Sequence, residues 1–229
     1  MELSYDPAEA VARLSRADRV LARVIKRAGP FTHVPEKMQS PFQALMRAIV
    51  YQQLNGKAAS TILGRVVDLY PRGGLKAEAI LATSDEQLRG AGLSRSKVLA
   101  LKDLAAKTLD STVPTLARLK KMDDAEIVAR LVQVRGIGPW SVEMLLIFRL
   151  GRPDVMPASD FGVRTGFMLT YGTAKLPTPN EIMDHAERWR PFRSVASWYM
   201  WRAVDMAKKE SLAAKAKAVT RPRKKASTG

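Results

Sequence analysis

The stretch LVQVRGIGPWSVEMLLIFRLGRPDVMPASDFGVRTGF, from Leu131 to Phe167, concentrates the residues able to do chemistry. Asp160 follows a Pro-containing loop and stands at an expected helix start, where the helix N-terminus favours its ionised form. A fixed carboxylate there can stabilise a cation developing beside it. The same position suits an ordinary N-cap. Trp140 lies one residue past the Pro that opens the preceding helix, and it fits either a stacking platform for a planar base or a core side chain. Gly136-Ile137-Gly138 forms a tight turn between two helices, with Ile137 as a buried anchor. Glycine permits positive φ and close approach of a phosphate, and amides at the next helix start can hold a phosphate oxygen. Such a turn is also found as a plain helical corner. Asp154, inside the Pro-rich loop, is expected to matter little.

The elements that must hold these residues read as helices nearly throughout. Asp6 or Pro7 starts a first helix, and Ser15 is the expected cap of a second that ends at Gly29-Pro30. Ser40-Pro41 opens a helix whose Phe42, Leu45, Met46, Ile49 and Val50 share one face. Further helices are expected near 57–69, 76–81, 84–89 and 94–109, then from Asp123 or Asp124 to Val134, and from Pro139 to Leu150. Ser159 or Asp160 begins another, followed by helices near 179–187 and 191–206. The pattern predicts an all-α fold over residues 1–206, divisible into two lobes: about 40–150, and the N-terminal helices with about 151–206. From Ala207 the sequence holds eight basic residues and one acidic residue and reads as a flexible basic tail, 207–229.

Composition narrows the partner. Thirty-eight Lys and Arg against 22 Asp and Glu give a net charge of +16, which favours an anionic polymer, most plausibly nucleic acid. The chain has no cysteine, which excludes disulfides, thiolate catalysis and a Cys-ligated iron–sulfur cluster. No apolar run is long enough for a membrane span, and the N-terminus is too polar for a secretory signal, so a cytoplasmic protein is expected. His33 and His185 are expected to be surface residues without a role.

The hairpin, loop and aspartate together resemble the helix-hairpin-helix glycosylase superfamily. Residues 41–60, PFQALMRAIVYQQLNGKAAS, are similar to the first helix pair of its alkyladenine branch, the 3-methyladenine glycosylase II type. LRGAGLSRSK, Leu88 to Lys97, resembles the second turn region, and RPFRSVASWYMW, Arg190 to Trp201, resembles the last helix facing the active site. The resemblance covers most of residues 40–206. It implies two helical lobes with the active site between them, without the N-terminal β domain of larger bacterial members. Gly136, Ile137 and Gly138 would grip DNA backbone, and Asp160 would be catalytic, either stabilising the sugar cation or acting as general base on the attacking water. Bifunctional relatives carry a lysine at the position of Trp140, so the resemblance implies hydrolysis without a lyase step. Met144 and Phe192 replace a tyrosine and a tryptophan of the family, which points to a less aromatic base pocket built with Trp140.

The resemblance implies a DNA glycosylase that flips an alkylated base such as 3-methyladenine from duplex DNA, hydrolyses its N-glycosidic bond and leaves an abasic site. Gln53 and Leu54, in YQQLNG, are the candidate wedges. A cationic methylated purine stacks well on Trp140 and Phe192. No cofactor is required; a monovalent cation, Na or K, would bind the main-chain carbonyls of Val132, Val134 and Ile137. Double-stranded DNA is the expected partner of a monomeric protein. A non-catalytic DNA-binding module, or a glycosylase for other lesions, are the alternatives.

Overall fold

The computed structural model describes residues 3–38, 40–71 and 74–220. In chain order the helices are α1 (Pro7–Ala17), α2 (Arg19–Ala28), α3 (Pro41–Tyr51), α4 (Gly56–Asp68), α5 (Ala77–Ala82), α6 (Asp85–Gly90), α7 (Arg95–Leu109), α8 (Leu116–Leu119), α9 (Asp124–Leu131), α10 (Pro139–Phe148), α11 (Phe161–Tyr171), α12 (Pro179–Ala186) and α13 (Arg193–Thr220). Among the described residues there is no strand, as the all-α expectation requires. None of their helices is long and apolar enough to cross a membrane.

The chain divides into two compact units. The first is Val34–Gly151, holding α3 to α10. Its core gathers Leu45, Ile49, Val66, Ile80, Leu88, Leu131, Val142 and Leu146 around α7, which buries Val98, Leu101 and Leu104. The second joins Leu3–His33 to the chain from Arg152 onward. There α11, with Val163 and Phe167, packs on α13, with Val195, Tyr199 and Met200.

Local chemistry explains most helix starts. Asn55, Ser94, Thr115, Asp123 and Asp160 each accept the amide three residues on. Ser84 with Gln87, and Thr178 with Glu181, form complete capping boxes. Two expectations fail. Ser15 lies inside α1; the cap of α2 is Asp18, whose Oδ1 accepts from the amides of Val20 and Leu21, both at 3.0 Å. A carboxylate bonded to two amides is the stronger cap. The helix expected to stop at 206 continues to Thr220, because Ala, Lys, Glu and Leu from Ala207 on are strong helix formers. The rest of the expected basic tail, 221–229, lies outside the described residues. The short α8 was not expected at all.

Asp18 also corrects the expectation for His185. Its Oδ2 receives the Tyr171 hydroxyl at 2.6 Å and the Trp189 indole N–H at 3.1 Å, and lies 3.0 Å from His185 Nε2. His185 is thus no idle surface group; its ring packs edge-on against Phe167, 4.9 Å between centroids. Burial pushes the Asp18 carboxyl up, but the bonds from His185, Tyr171, the Leu21 amide and Trp189 outweigh it and hold the group well below the carboxylate range. A depressed folded pKa stabilises the protein above the unfolded value near 4, and that stability is lost as pH falls below it. Asp18→Ala should remove the cap and strand two buried donors, costing about 3 kcal/mol. Urea unfolding at pH 7 and pH 3 checks this: the variant should be less stable at pH 7, with a smaller loss on acidification than the parent.

Candidate active site

The first unit supplies a hairpin and a cavity. The chain leaves α9 at Leu131, turns through Val132–Gly138 and enters α10 at Pro139. Gly136 has φ 80°, the left-handed region, so this glycine is demanded by the backbone. Gly138 has φ −103° and open space where a Cβ would stand; it lets an approaching group come close. Ile137 is buried, and its amide donates to Val134 O at 3.0 Å. No side chain caps the start of α10. The turn is braced from outside: Gln52 Nε2 donates to Gly136 O at 2.7 Å, and Asp103 Oδ2 accepts the Arg135 amide at 2.7 Å. Burial raises the Asp103 pKa, but that amide and the Lys107 ammonium lower it more.

Beside the hairpin lies a cavity of about 470 Å³ lined by Ala48, Tyr51, Gln52, Gln53, Trp140, Ser141 and Met144. It unites three expected residues, Trp140, Met144 and Gln53. Trp140 and Met144, one turn apart, share a face of α10. Trp140 is 46% exposed, so it is a wall of the cavity and not core. Tyr51 was not anticipated; it ends α3, and Arg47 lies 4.2 Å above its ring. Gln53 has φ 57°, rare for a residue with a side chain, and Leu54 is exposed.

The second unit supplies Asp160. It does cap α11: Oδ1 accepts the Val163 amide at 2.7 Å. The same oxygen accepts Trp201 Nε1 at 2.8 Å, so α13 fixes the carboxylate's orientation. Two glycines make this contact possible. A Cβ on Gly162 would fall 2.8 Å from Trp201 Cδ1 and 3.0 Å from Asp160 Oδ1. A Cβ on Gly166 would fall 2.1 Å from Met200 O. The Pro-rich loop is stitched to α13 as well: Ser194 N donates to Pro153 O, and Val155 N to Ser194 Oγ, both at 2.9 Å.

Two expectations change here. Asp154 is no bystander. It accepts Arg193 Nε at 2.8 Å and Arg190 Nη1 at 2.7 Å, and the Arg193 side chain is only 9% exposed. A buried guanidinium needs that partner. Phe192 is 7% exposed within the unit's core, 5.8 Å from the Tyr5 ring, so its faces are occupied and it offers no open platform. The exposed ring near Asp160 is Phe161, 72% exposed. Trp201, Gly162, Phe161 and Tyr51 were all missed as site residues. The spacing Gly162-x-x-x-Gly166 was the available signal, since small residues one turn apart mark a close helix approach.

Among the described residues no group of His, Cys, Asp or Glu is placed to hold a metal. The carbonyls of Val132, Val134 and Ile137 fit a monovalent cation in kind: they are neutral oxygens within one turn. Val134 O already accepts an amide but retains a second lone pair.

The chain thus carries a helical hairpin with a left-handed glycine in its first unit and an indole-anchored carboxylate at a helix start in its second. Residues 46–191 match the model of the HhH-GPD superfamily of base excision DNA repair proteins, and the chain belongs to that superfamily. It is 35% identical over 201 residues to DNA-3-methyladenine glycosylase 1 of Schizosaccharomyces pombe, covering 87% of this chain and 88% of that one. The alkylbase DNA glycosidase-like protein mag2 of the same yeast is 27% identical, over 91% of this chain and 99% of its own. Among solved structures, the S. pombe 3-methyladenine DNA glycosylase in complex with abasic DNA superposes with TM-score 0.75 at 36% identity, over 85% of this chain and 95% of that one. A DNA-3-methyladenine glycosidase of Bacillus halodurans superposes with TM-score 0.80 at 31% identity, over 91% and 94%.

Gly162→Ala should crowd both the Trp201 indole and the Asp160 oxygen it bonds, and so loosen that bond. The cost should be about 1–3 kcal/mol, since the ring must shift in a packed site. NMR of the indole N–H groups checks this: one resonance should move and exchange faster with water, and an unchanged spectrum would show that the clash is absorbed elsewhere.

Proposed function

We propose that this chain is a monofunctional alkylbase DNA glycosylase in which Asp160 drives hydrolysis of the N-glycosidic bond. The observation that carries the reading is the Trp201–Asp160 bond: a half-buried indole on one helix aims the carboxylate that caps another. The homology to 3-methyladenine DNA glycosylases supports the activity, and methylated purines are the substrates it suggests.

The roles follow from the geometry of each unit. The hairpin Gly136–Gly138 takes a DNA phosphate on backbone amides, and a monovalent cation on the carbonyls of Val132, Val134 and Ile137 would add positive charge there. Gln53, in its left-handed turn, is the better placed wedge because it lines the cavity; Leu54 flanks it. The extruded base stacks on Trp140, with Tyr51 and Met144 completing the pocket. A methylated purine is already cationic, so it needs little acid help to leave and gains from an indole face. Phe192 belongs to the core of the second unit and offers no platform. As the glycosidic bond lengthens, positive charge grows on the sugar. Asp160 stabilises it through a charge already oriented before the reaction. The cationic base leaves with the bond's electron pair and becomes neutral; water adds at the anomeric carbon and releases its extra proton to solvent. The protein works as a monomer on double-stranded DNA in the cytoplasm.

Asp160→Asn keeps an oxygen for the Val163 amide and the Trp201 indole, so folding should survive. The charge is lost, and single-turnover excision from methylated duplex DNA should fall by about 100- to 1000-fold, with duplex affinity retained. Excision within about threefold of the parent would reduce Asp160 to a cap.

Trp140 offers no amine for a Schiff base. The product should therefore be an intact abasic site, cleaved only by hot alkali. Borohydride should trap no protein–DNA adduct; a trapped adduct on lesion-containing DNA would overturn the monofunctional assignment.

A further inference from the structure

One stripe of α7 touches both DNA-directed turns of the first unit. Lys97, Ala100, Asp103 and Lys107 recur at spacings of three and four, so they line a single helix face. At one end Lys97 Nζ donates to Val50 O at 2.7 Å and to Gln52 O at 2.9 Å. These carbonyls stand at the C-terminal end of α3, where the helix has no amide left to satisfy them. Burial draws the Lys97 pKa down, as befits an ammonium withdrawn from water into this contact. In the middle of the stripe, the Ala100 methyl faces Gly136, whose added Cβ would lie 3.5 Å away. At the far end Asp103 accepts the Arg135 amide, and Lys107 donates to Gln133 O. Gln52 closes the circuit: its backbone carbonyl is held by Lys97, and its side-chain amide holds Gly136 O.

The residue next to this clamp is Gln53, in a backbone conformation that non-glycine residues seldom take. A turn of that kind relaxes to other conformers unless its neighbours are pinned. A wedge must keep its place while the bases it separates tend to restack. We propose that Lys97 is a positioning residue for DNA engagement, fixing the Gln52–Gln53–Leu54 turn against the hairpin so that wedge and phosphate grip act at one set spacing. This rests on Gln53 as wedge and on the hairpin as phosphate site. Lys97 itself need not touch DNA; it acts through two carbonyls and the Gln52 side chain.

Lys97→Met in the full chain keeps the aliphatic stem and removes the donors. Hydrogen exchange of the free protein should show faster amide exchange in peptides covering 51–56 and 133–138, with α11 and α13 unchanged. Single-turnover excision from methylated duplex DNA should slow about tenfold in Lys97→Met, yet by less than about twofold when Lys97→Met is added to Gln53→Ala, because the two act as one unit. Unchanged exchange at 133–138 in a folded variant would overturn the coupling, and so would two effects that simply multiply. A silent Gln53→Ala would remove the wedge reading instead, and the exchange measurement would still decide the coupling. Should Lys97→Met not fold, Lys97→Gln, which keeps a neutral donor, takes its place with the same expected directions.

Discussion

Backbone contact between α11 and α13, permitted by Gly166, is the constraint on which the second unit depends. With no Cβ at that position the helices meet at the Met200 carbonyl. Only at that distance does Trp201, the next residue on α13, reach across Gly162 to Asp160. The same helix collects the Pro-rich loop through Arg193 and Ser194. Loop and carboxylate are therefore referenced to one rod. A charge meant to act on a transition state must be aimed before the reaction begins, since reorientation would cost what the charge is meant to supply.

The first unit solves a similar problem with polar clamps. Its two turns emerge from different helices; Val134 and Ile137 anchor the hairpin by burial, and the backbone around them is held by hydrogen bonds as well. Carbonyls and amides at helix ends supply the attachment points. Gln52, Asp103 and Lys107 use them on the hairpin. The cavity bordered by Trp140 and Tyr51 thus sits between fixed walls.

How much of this the sequence disclosed depends on the range of each interaction. Helix starts are local, and Pro41, Asn55, Ser94, Asp123 and Asp160 announce them within four residues. Asp18 was overlooked for Ser15 because both are good caps by type; the two local amide bonds and the tertiary bonds from Tyr171 and Trp189 favour Asp18. Phe192 looked like a platform because aromatic residues near a family motif invite that view; Tyr5, far away in sequence, covers it. Trp201 and Asp160 are 41 residues apart, and nothing in either neighbourhood names the other. The hairpin turn and the helix start at Asp160 were legible because glycine and helix-start patterns are written in adjacent residues, whereas the roles assigned to them rested on the family resemblance. Their partners were not, because a fold brings them together.

Asp160 caps α11, and on the proposed reading the same side chain has a chemical duty as well, which shapes how the gene can drift. Substitutions that lose the cap would be purged for instability even where activity no longer matters. A lineage relieved of its repair duty would then keep Asn or Ser at this place, with the glycines and the indole intact. Its members would share every contour of an active relative. Where the replacement is Asn, their silence would be written in a single side-chain atom.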